Sequence, residues 1–354
     1  MIFLFLACLA PAFVGLRWRR ADEDPLAPAV TSSINGIFVL LVMLSHFYQY
    51  AGSYLQSAPD AWYAGVRSVM GQIIVSTFLF FSGYGIMHQI TKKKRPYARK
   101  ILTDRLLKVL LHFDLALLLF LGLGFCFGYK NDLATVLKAV IAWSKLSVGN
   151  SNWFIFTTFC LYIIVFLAFF FYKEKPLPCL LAVTVLTFVY IALILCSEND
   201  SSRFYNTVFC FVGGMWFSYL KEPIRRFWRK SLLCYVGSLA VTVAVGVGSF
   251  LLCYGKGAPI YHLLYNLYAL AVAMLFTMLA EKLVFGNRLL LWLGKYTFPI
   301  YILQRVPYIL FRELGLLAYN RILYMIVCVA GTVLFAVGFQ YLTDRLDALI
   351  WRKK

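Results

Sequence analysis

Charged residues are scarce in this chain of 354 residues, and the acidic ones are the scarcest. Asp, Glu, Lys and Arg together make up only 14% of the sequence, whereas a soluble domain carries about 25%. Hydrophobic residues account for 62%, and the mean hydropathy is +0.78. This composition excludes a soluble globular fold.

Cysteine pairs, which would mark a disulfide framework or a zinc site, are also lacking. The nine cysteines include no Cys-x-x-Cys pair, and nearly all of them lie inside apolar runs. We therefore interpret them as small hydrophobic residues. The sequence predicts neither a metal site nor a bound cofactor.

Internal repeats are not visible either. The two halves of the chain share no matched pair of apolar runs broken by Gly or Pro, which is the usual sign of an inverted-repeat transporter. Because such repeats are often invisible in a single sequence, a transporter stays open as an alternative.

What the sequence does contain is a series of apolar runs of membrane-spanning length. A helix needs about 20 such residues to cross a hydrocarbon core of ~30 Å. We predict an all-α polytopic membrane helical bundle of about 10–11 transmembrane helices. The candidate spans are 2–16, 34–55, 69–90, 106–128, 152–172, 179–197, 204–220, 231–253, 261–281, 289–311 and 322–344.

The net charge of +19 is concentrated between these runs on one side of the predicted bundle. That side holds 24 of the 34 lysines and arginines, and the other side holds nine. Cytoplasmic segments carry such an excess, so the N-terminus is predicted outside and the C-terminus in the cytoplasm. Basic residues at the ends of apolar runs face anionic lipid headgroups. We predict a multi-pass protein of the cell (plasma) membrane with the lipid bilayer, and no nucleic acid, as partner.

A histidine lies in the middle of the second apolar run. At 3.6 residues per turn, one helical stripe contains four polar residues, Asn35, His46, Gln49 and Ser53. Eleven steps from Asn35 raise His46 by about 16 Å, which is half of the hydrocarbon core. At that depth the imidazole is either a general base or a neutral hydrogen-bonding partner for another helix. Its position alone does not decide between the two.

A second polar group opens the fourth apolar run. Arg105, Lys108 and His112 are three and four residues apart, so an α-helix places them on one face. Such cations would suit a cytoplasmic ligand that bears phosphates, or they would anchor the helix at the lipid headgroups. For this inward-running group we favour the ligand. For Lys92–Lys100 we favour the anchor.

Three further features are weaker indications of a functional site. Small residues in Phe80–Gly85, including Ser82, are typical of close helix packing. Trp153 is typical of an outer aromatic belt. Gln304 and Arg305 lie toward the outer end of the tenth run, where Arg305 alone would be interpreted as a side chain that reaches the interface.

In their order and spacing, these residues resemble the landmarks of the acyltransferase-3 family of integral membrane acyltransferases. The matching elements are Asn35-Gly36 with His46, Phe80-Phe-Ser-Gly-Tyr84, Arg105-Leu-Leu-Lys108, Asn152-Trp-Phe154 and Leu293-Gly-Lys-Tyr-Thr-Phe-Pro-Ile-Tyr-Ile-Leu-Gln304. The chain departs from the family pattern at Asn35 and Lys108, where relatives have arginine, at Leu111, where they have proline, and at Gln304, where many have histidine.

The likeness covers roughly residues 33 to 345. We therefore predict an acyltransferase-like domain over 33–354, preceded by an extra span and a basic linker over 1–32. The resemblance implies an enzyme that moves an acyl group, commonly acetyl, from acyl-CoA on the cytoplasmic side to a hydroxyl of a cell-surface carbohydrate or a lipid-linked glycan. Acetyl-CoA is then a co-substrate, and no cofactor stays bound.

The same resemblance implies roles for individual residues. His46 would be catalytic, and Arg105 and Lys108, with His112 on the same face, would bind the acyl donor. Contact with the acceptor or structural support would fall to Asn35, Gln49, Ser82, Trp153 and Gln304. Two other functions stay open, a small-solute or lipid transporter and a non-catalytic membrane component of an envelope-building complex.

Overall fold

The computed structural model describes residues 2–20, 22–54, 57–171, 175–197, 201–253, 257 and 260–351. It is 83% helical, which confirms the predicted all-α class. The helices are α1 (Ile2–Leu9), α2 (Pro28–Ala51), α3 (Ala58–Met70), α4 (Ser76–Ile101), α5 (Lys108–Cys126), α6 (Leu133–Val140), α7 (Trp153–Phe171), α8 (Pro176–Leu195), α9 (Val208–Lys230), α10 (Leu232–Cys253), α11 (Ile260–Lys282), α12 (Arg288–Lys295), α13 (Thr297–Leu303), α14 (Arg305–Glu313), α15 (Leu316–Tyr319) and α16 (Arg321–Ile350). Strands β1 (Arg17–Trp18) and β2 (Leu283–Val284) form an antiparallel pair.

Eight helices in the described part of the chain are long and apolar enough to cross a membrane. They cover Pro28–Tyr54, Ile73–Lys94, Pro96–Cys126, Trp153–Phe170, Pro176–Leu195, Leu232–Cys253, Ile260–Lys282 and Arg321–Ile350. The other three predicted runs are helical too, but α1 is short, α9 carries a basic second half, and the run at 289–311 is broken. The chain is a multi-pass membrane protein.

The broken run has a local cause in its two prolines. Proline lacks the N–H that would bond to the carbonyl four residues earlier. Pro299 therefore leaves the carbonyl of Lys295 without its helical partner, and α12 ends at Lys295. In the same way, Pro307 follows Leu303 by four residues, and α13 ends at Leu303. The second break sets Gln304 and Arg305 at the junction of α13 and α14.

Two contacts between described connecting segments, one at each end of the bundle, join segments that the charge pattern predicts on the same side. At one end, which we call the inner end, Arg19 donates hydrogen bonds to the carbonyls of Ala280 and Leu283 at 2.5 and 3.1 Å. At the opposite end, the outer end, Arg321 donates to the carbonyl of Tyr54 at 2.5 Å. That the inner end faces the cytoplasm stays a prediction from charge, and residues 352–354 of the predicted cytoplasmic C-terminus lie outside the described residues.

The predicted N-terminal span is a partly helical segment that passes from one end of the bundle to the other. Helix α1 packs against α3 at the outer end, and β1 pairs with β2 at the inner end. Between them, the Asn287 side chain donates hydrogen bonds to the carbonyls of Pro11 and Val14. The division of the chain at residue 32 stays a prediction.

The basic patch at 92–100 forms a sharp turn at the inner end. Lys94 has a φ of +53°, and α4 changes direction there. Pro96 then begins the next span, since its fixed φ suits the first turn of a helix. Six residues later the chain enters a π-helical segment, Leu102–Leu107, before it continues as α5.

Three glycines lie at close contacts between the helices that carry the candidate site residues and their neighbours. A Cβ on Gly83 of α4 would lie 2.0 Å from the Phe211 carbonyl oxygen, and a Cβ on Gly214 of α9 would lie 2.0 Å from that of Phe80. A Cβ on Gly36 of α2 would likewise lie 2.2 Å from the carbonyl oxygen of Leu290 in α12. The backbones of these helices are therefore in direct contact, as small residues in membrane helices permit.

Candidate active site

Two cavities lie one above the other within the bundle. The outer cavity has a volume of about 160 Å³ and contains His46, and the inner cavity has a volume of about 370 Å³ and contains Asn35 and Arg105. The residues of the stripe predicted on α2 do not share one cavity: Asn35 lines the inner cavity, His46 lines the outer one, and Ser53 lines neither. Gln49 and Trp153 line the outer cavity, and Ser82 lines the inner one.

His46 in the outer cavity is held beside an arginine. Its Nε2 lies 3.5 Å from an Nη of Arg305, and the same Nη donates to Gln49 Oε1 at 2.8 Å. The other Nη of Arg305 is 3.4 Å from the Gly149 carbonyl. Because a guanidinium can only donate, Nε2 acts as the acceptor in this pair. This geometry assigns the hydrogen of a neutral imidazole to Nδ1.

The other ring nitrogen of His46 lies beside Gln304. Gln304 is fully buried, and its Nε2 donates to the Tyr301 carbonyl at 3.1 Å. Its Oε1 and the Nδ1 of His46 are both buried without a hydrogen-bond partner. An Nδ1–H donor and an amide oxygen are complementary, so the two neighbouring groups are chemically suited to pair. The orienting partner that His46 lacks on its own helix is therefore an amide of the broken tenth run.

Four cations line the outer cavity, namely Arg67, Lys145, Arg203 and Arg305. Burial of the Lys145 ammonium lowers its pKa, and the nearby Arg203 and Arg305 lower it further. Beside them, Asn150, Ser151 and Asn152 form a buried polar wall. The cavity is thus positive and rich in hydrogen-bonding groups.

The inner cavity has fewer cations than the outer one and a more apolar lining. Its cations are Arg105 and Lys295, and no carboxylate pairs with either of them among the described residues. Ser82 and Tyr162 hydrogen-bond to each other at 3.1 Å across its wall. The rest of the lining is mostly aliphatic and aromatic. Such a cavity suits a long ligand with an apolar arm and an anionic end.

The residues of the predicted basic stripe, Arg105, Lys108 and His112, lie in two different places in the structure. Arg105 lies in the π-helical segment, whose wider turns change the angle between successive side chains. Lys108 and His112 therefore do not line the inner cavity and instead meet Asp347 of α16, at 3.6 and 3.2 Å. Their role in donor binding stays a prediction that the described structure does not favour. Asp347, rather than the nearby Asp114, is the carboxylate that pairs with them.

An aromatic wall separates the two cavities. Tyr301 lines both of them, Trp153 lines the outer one, and Phe154 lines the inner one. The rings of Phe154 and Tyr301 are in contact, with centroids 4.9 Å apart. Tyr301 is thus the described residue at which the two cavities adjoin. Within the described residues, no group of three His, Cys, Asp or Glu side chains could hold a metal ion.

Sequence reasoning missed several of the lining residues. From the sequence, Arg305 alone is interpreted as a side chain at the interface, and Lys295 is not assigned to the site. A signal existed for both, because they belong to or follow the matched segment 293–304. For Arg67 and Arg203, which lie far apart in the sequence, no signal was present before the fold brought them together.

Comparison with known proteins gives one match. The family model described as "Acyltransferase domain", of the acyltransferase-3 type, matches residues 33–341. No curated protein and no solved structure matches the chain significantly.

Proposed function

Because the chain belongs to the acyltransferase-3 family and is a membrane acyltransferase, we propose that it transfers an acetyl group from cytoplasmic acetyl-CoA to a hydroxyl of a cell-surface carbohydrate or envelope glycan. The acceptor would be a free surface sugar or a lipid-linked glycan, and the protein would reside in the plasma membrane. Acetyl-CoA is a co-substrate in this proposal.

One observation carries the proposal, namely that the two cavities meet at Tyr301. The cavity nearer the inner end contains the cation Arg105, and the cavity nearer the outer end contains the imidazole of His46. A donor from one side of the membrane and an acceptor from the other could therefore meet at the aromatic wall. A route of this kind lets the acyl group cross while the CoA remains on the inner side.

For the donor, Arg105 and Lys295 are the residues that we assign to the phosphates of CoA. Both are cations, and both line the inner cavity. Arg105 offers a planar fork of donors that matches phosphate oxygens. The apolar part of the cavity would then hold the pantetheine arm and direct the thioester toward Tyr301.

For the acceptor, His46 is the residue that we assign as general base. Its Nε2 takes the proton of the acceptor hydroxyl, whose oxygen attacks the thioester carbonyl carbon. The C–S bond then breaks, and the CoA thiolate leaves and takes up a proton. Arg305, within 3.5 Å of Nε2, is placed to stabilise the negative charge that develops on the carbonyl oxygen.

The test uses purified protein in nanodiscs with labelled acetyl-CoA and a carbohydrate acceptor. We expect CoA release coupled to acceptor labelling, with a loss of roughly 10²–10⁴-fold in His46→Gln, the range typical of a removed general base. His88→Gln is the matched control, because His88 is exposed on α4 and lines neither cavity.

The two alternative functions predict other results in the same assay. Uptake of a solute without acyl transfer would favour a transporter. Full activity of His46→Gln in cells, with no transfer by the purified protein, would favour a non-catalytic component. Either result would contradict the proposed reaction.

A further inference from the structure

The outer cavity concentrates positive charge on the side of the bundle where lysine and arginine are rarest. Of the nine basic residues predicted on that side, four line this single cavity, Arg67, Lys145, Arg203 and Arg305. Segments on the outer side of a membrane protein normally contain few such residues. Chance placement at the lipid interface does not explain why nearly half of them converge on a site within the bundle.

Within the described residues, none of these four cations forms an ion pair with a carboxylate. Within the described residues, the carboxylates at the outer end are engaged elsewhere. Asp60 pairs with Arg321, and Glu313 pairs with Arg312. The side chain of Asp132 caps helix α6 through the Thr135 N–H. Of the residues that line the cavity, none is acidic.

The polar wall beside the cations contains hydrogen-bonding groups that have no protein partner. Asn150 is 1% exposed, and its Oδ1 accepts from the Leu146 N–H at 2.8 Å. This bond fixes the amide so that its Nδ2 is left as a buried donor without a partner, as is the hydroxyl of Ser151. The Nε atoms of Arg67 and Arg305 are also buried and unpaired. Buried polar groups are normally satisfied, so this set of donors indicates a ligand that is rich in acceptors.

We propose that the outer cavity selects an acceptor that bears an anionic group, a carboxylate or a phosphate, next to the hydroxyl that is acylated. This inference rests on the proposed function and adds the chemical class of the acceptor to it. Arg67 lines the same cavity as His46 and would hold the anion near the reacting hydroxyl, while Arg305 remains assigned to the oxyanion. Lys145 and Arg203 are more exposed and would draw it in from solution. A charge-assisted contact of this kind binds more strongly than the same contact to a neutral group.

The test compares glucose with two anionic probes that each differ from it at a single position, glucuronate at C6 and glucose 1-phosphate at C1. Their binding to the purified full-length protein in nanodiscs is measured without acetyl-CoA, from the ligand-induced shift in thermal unfolding at about 0.15 M salt. We expect one or both anionic probes to bind roughly tenfold more tightly than glucose. A preference for glucuronate would identify an acidic sugar as the source of the anion, and a preference for glucose 1-phosphate would identify a phosphate ester, as in a lipid-linked glycan.

Charge-neutral variants link the preference to the cavity. Lys145→Gln combined with Arg203→Gln should reduce the preference for the anion severalfold. Lys130→Gln is the matched control, because Lys130 is exposed at the same end and does not line the cavity. If glucose binds as tightly as both anions, or if the control variant reduces the preference equally, the inference is overturned.

Failure of the inference and failure of the proposed function give different results. Acetyl transfer to glucose and to the anionic probes with equal efficiency would keep the acyltransferase reaction and overturn the anionic acceptor. Tight binding of an anion without any transfer would keep the charge selectivity of the cavity and contradict the proposed reaction.

Discussion

The chemistry that we assign to His46 depends on what each of its ring nitrogens meets. Nε2 faces the guanidinium of Arg305 at 3.5 Å, so it must be the basic nitrogen of a neutral ring. Nδ1 lies beside Gln304 and has no hydrogen-bond partner. A histidine base is usually oriented by a carboxylate, and here an amide takes that place. Arg305 does not replace that carboxylate, because a cation beside the ring disfavours the imidazolium; its role in the proposal is to stabilise the developing oxyanion.

The role of Gln304 as a positioning residue can be tested by substitution. Gln304→Met removes the amide oxygen that would accept from Nδ1–H but keeps the side-chain volume. We expect kcat to fall roughly tenfold, since a lost hydrogen bond to a catalytic group is worth about 1–2 kcal/mol, with little change in the KM for either substrate. The measurement is steady-state acetyl transfer in nanodiscs.

The rescue variant for this position is Gln304→His, which installs the residue that many relatives carry there. An imidazole can accept from Nδ1–H as the amide does, so this variant should retain most of kcat. A rise in KM with unchanged kcat in Gln304→Met would show that the residue only shapes the cavity.

The assigned donor site predicts how the KM for acetyl-CoA changes when each of three cations is substituted. Arg105→Gln and Lys295→Gln should each raise the KM for acetyl-CoA roughly tenfold, because each removes a charge-assisted contact with phosphate. The KM for the acceptor should change little, because both residues line the inner cavity only. Lys108→Gln is the matched variant in the same region. Its side chain pairs with Asp347, so we expect the KM for acetyl-CoA to be unchanged in this variant. If the KM rises as much as in Arg105→Gln, Lys108 belongs to the donor site.

At the scale of single helices, two irregular elements determine which side chains reach the two cavities. The π-helical segment Leu102–Leu107 directs Arg105 to the inner cavity while Lys108 and His112 turn to α16. The break after Leu303 directs Gln304 and Arg305 to His46. Departures from a regular α-helix at membrane depth are tolerated where they line a polar cavity. The two irregularities therefore occur at the two cavities that the proposed function uses.

Close packing of helices gives a prediction at the same scale. Gly83→Ala would bring a methyl group within 2.0 Å of the Phe211 carbonyl oxygen, which forces α4 and α9 apart. We expect a loss of roughly 1–3 kcal/mol in the free energy of unfolding, as is typical of overpacking. The measurement is thermal unfolding in detergent. Gly85→Ala in the same motif is the control, because nothing lies within 4 Å of its added Cβ, and equal destabilisation by both variants would contradict the packing role.

At the scale of the whole molecule, the bundle separates two sets of connections, and the proposal requires the inner set to be cytoplasmic. Reporter fusions within residues 91–104 should be active in the cytoplasm, and fusions at 201–203 should be active outside. The physical reason is the excess of Lys and Arg at the inner end. A reversed result would place Arg105 and Lys295 on the outer side, where acetyl-CoA is not supplied, and would contradict the donor assignment.

The sequence by itself determined the class of the fold and the family. Apolar runs and basic boundaries are local properties, so they predicted the spans and their grouping at two ends. The motif around His46 and Arg105 is also local, and it identified the acyltransferase family. Only the tertiary structure decided which side chains share a cavity, because that depends on contacts between residues far apart in the chain. Arg67, Lys145, Arg203 and Arg305 are spread over more than 200 residues, and only the packing of α2, α3, α7 and the broken tenth run brings their charges together around His46.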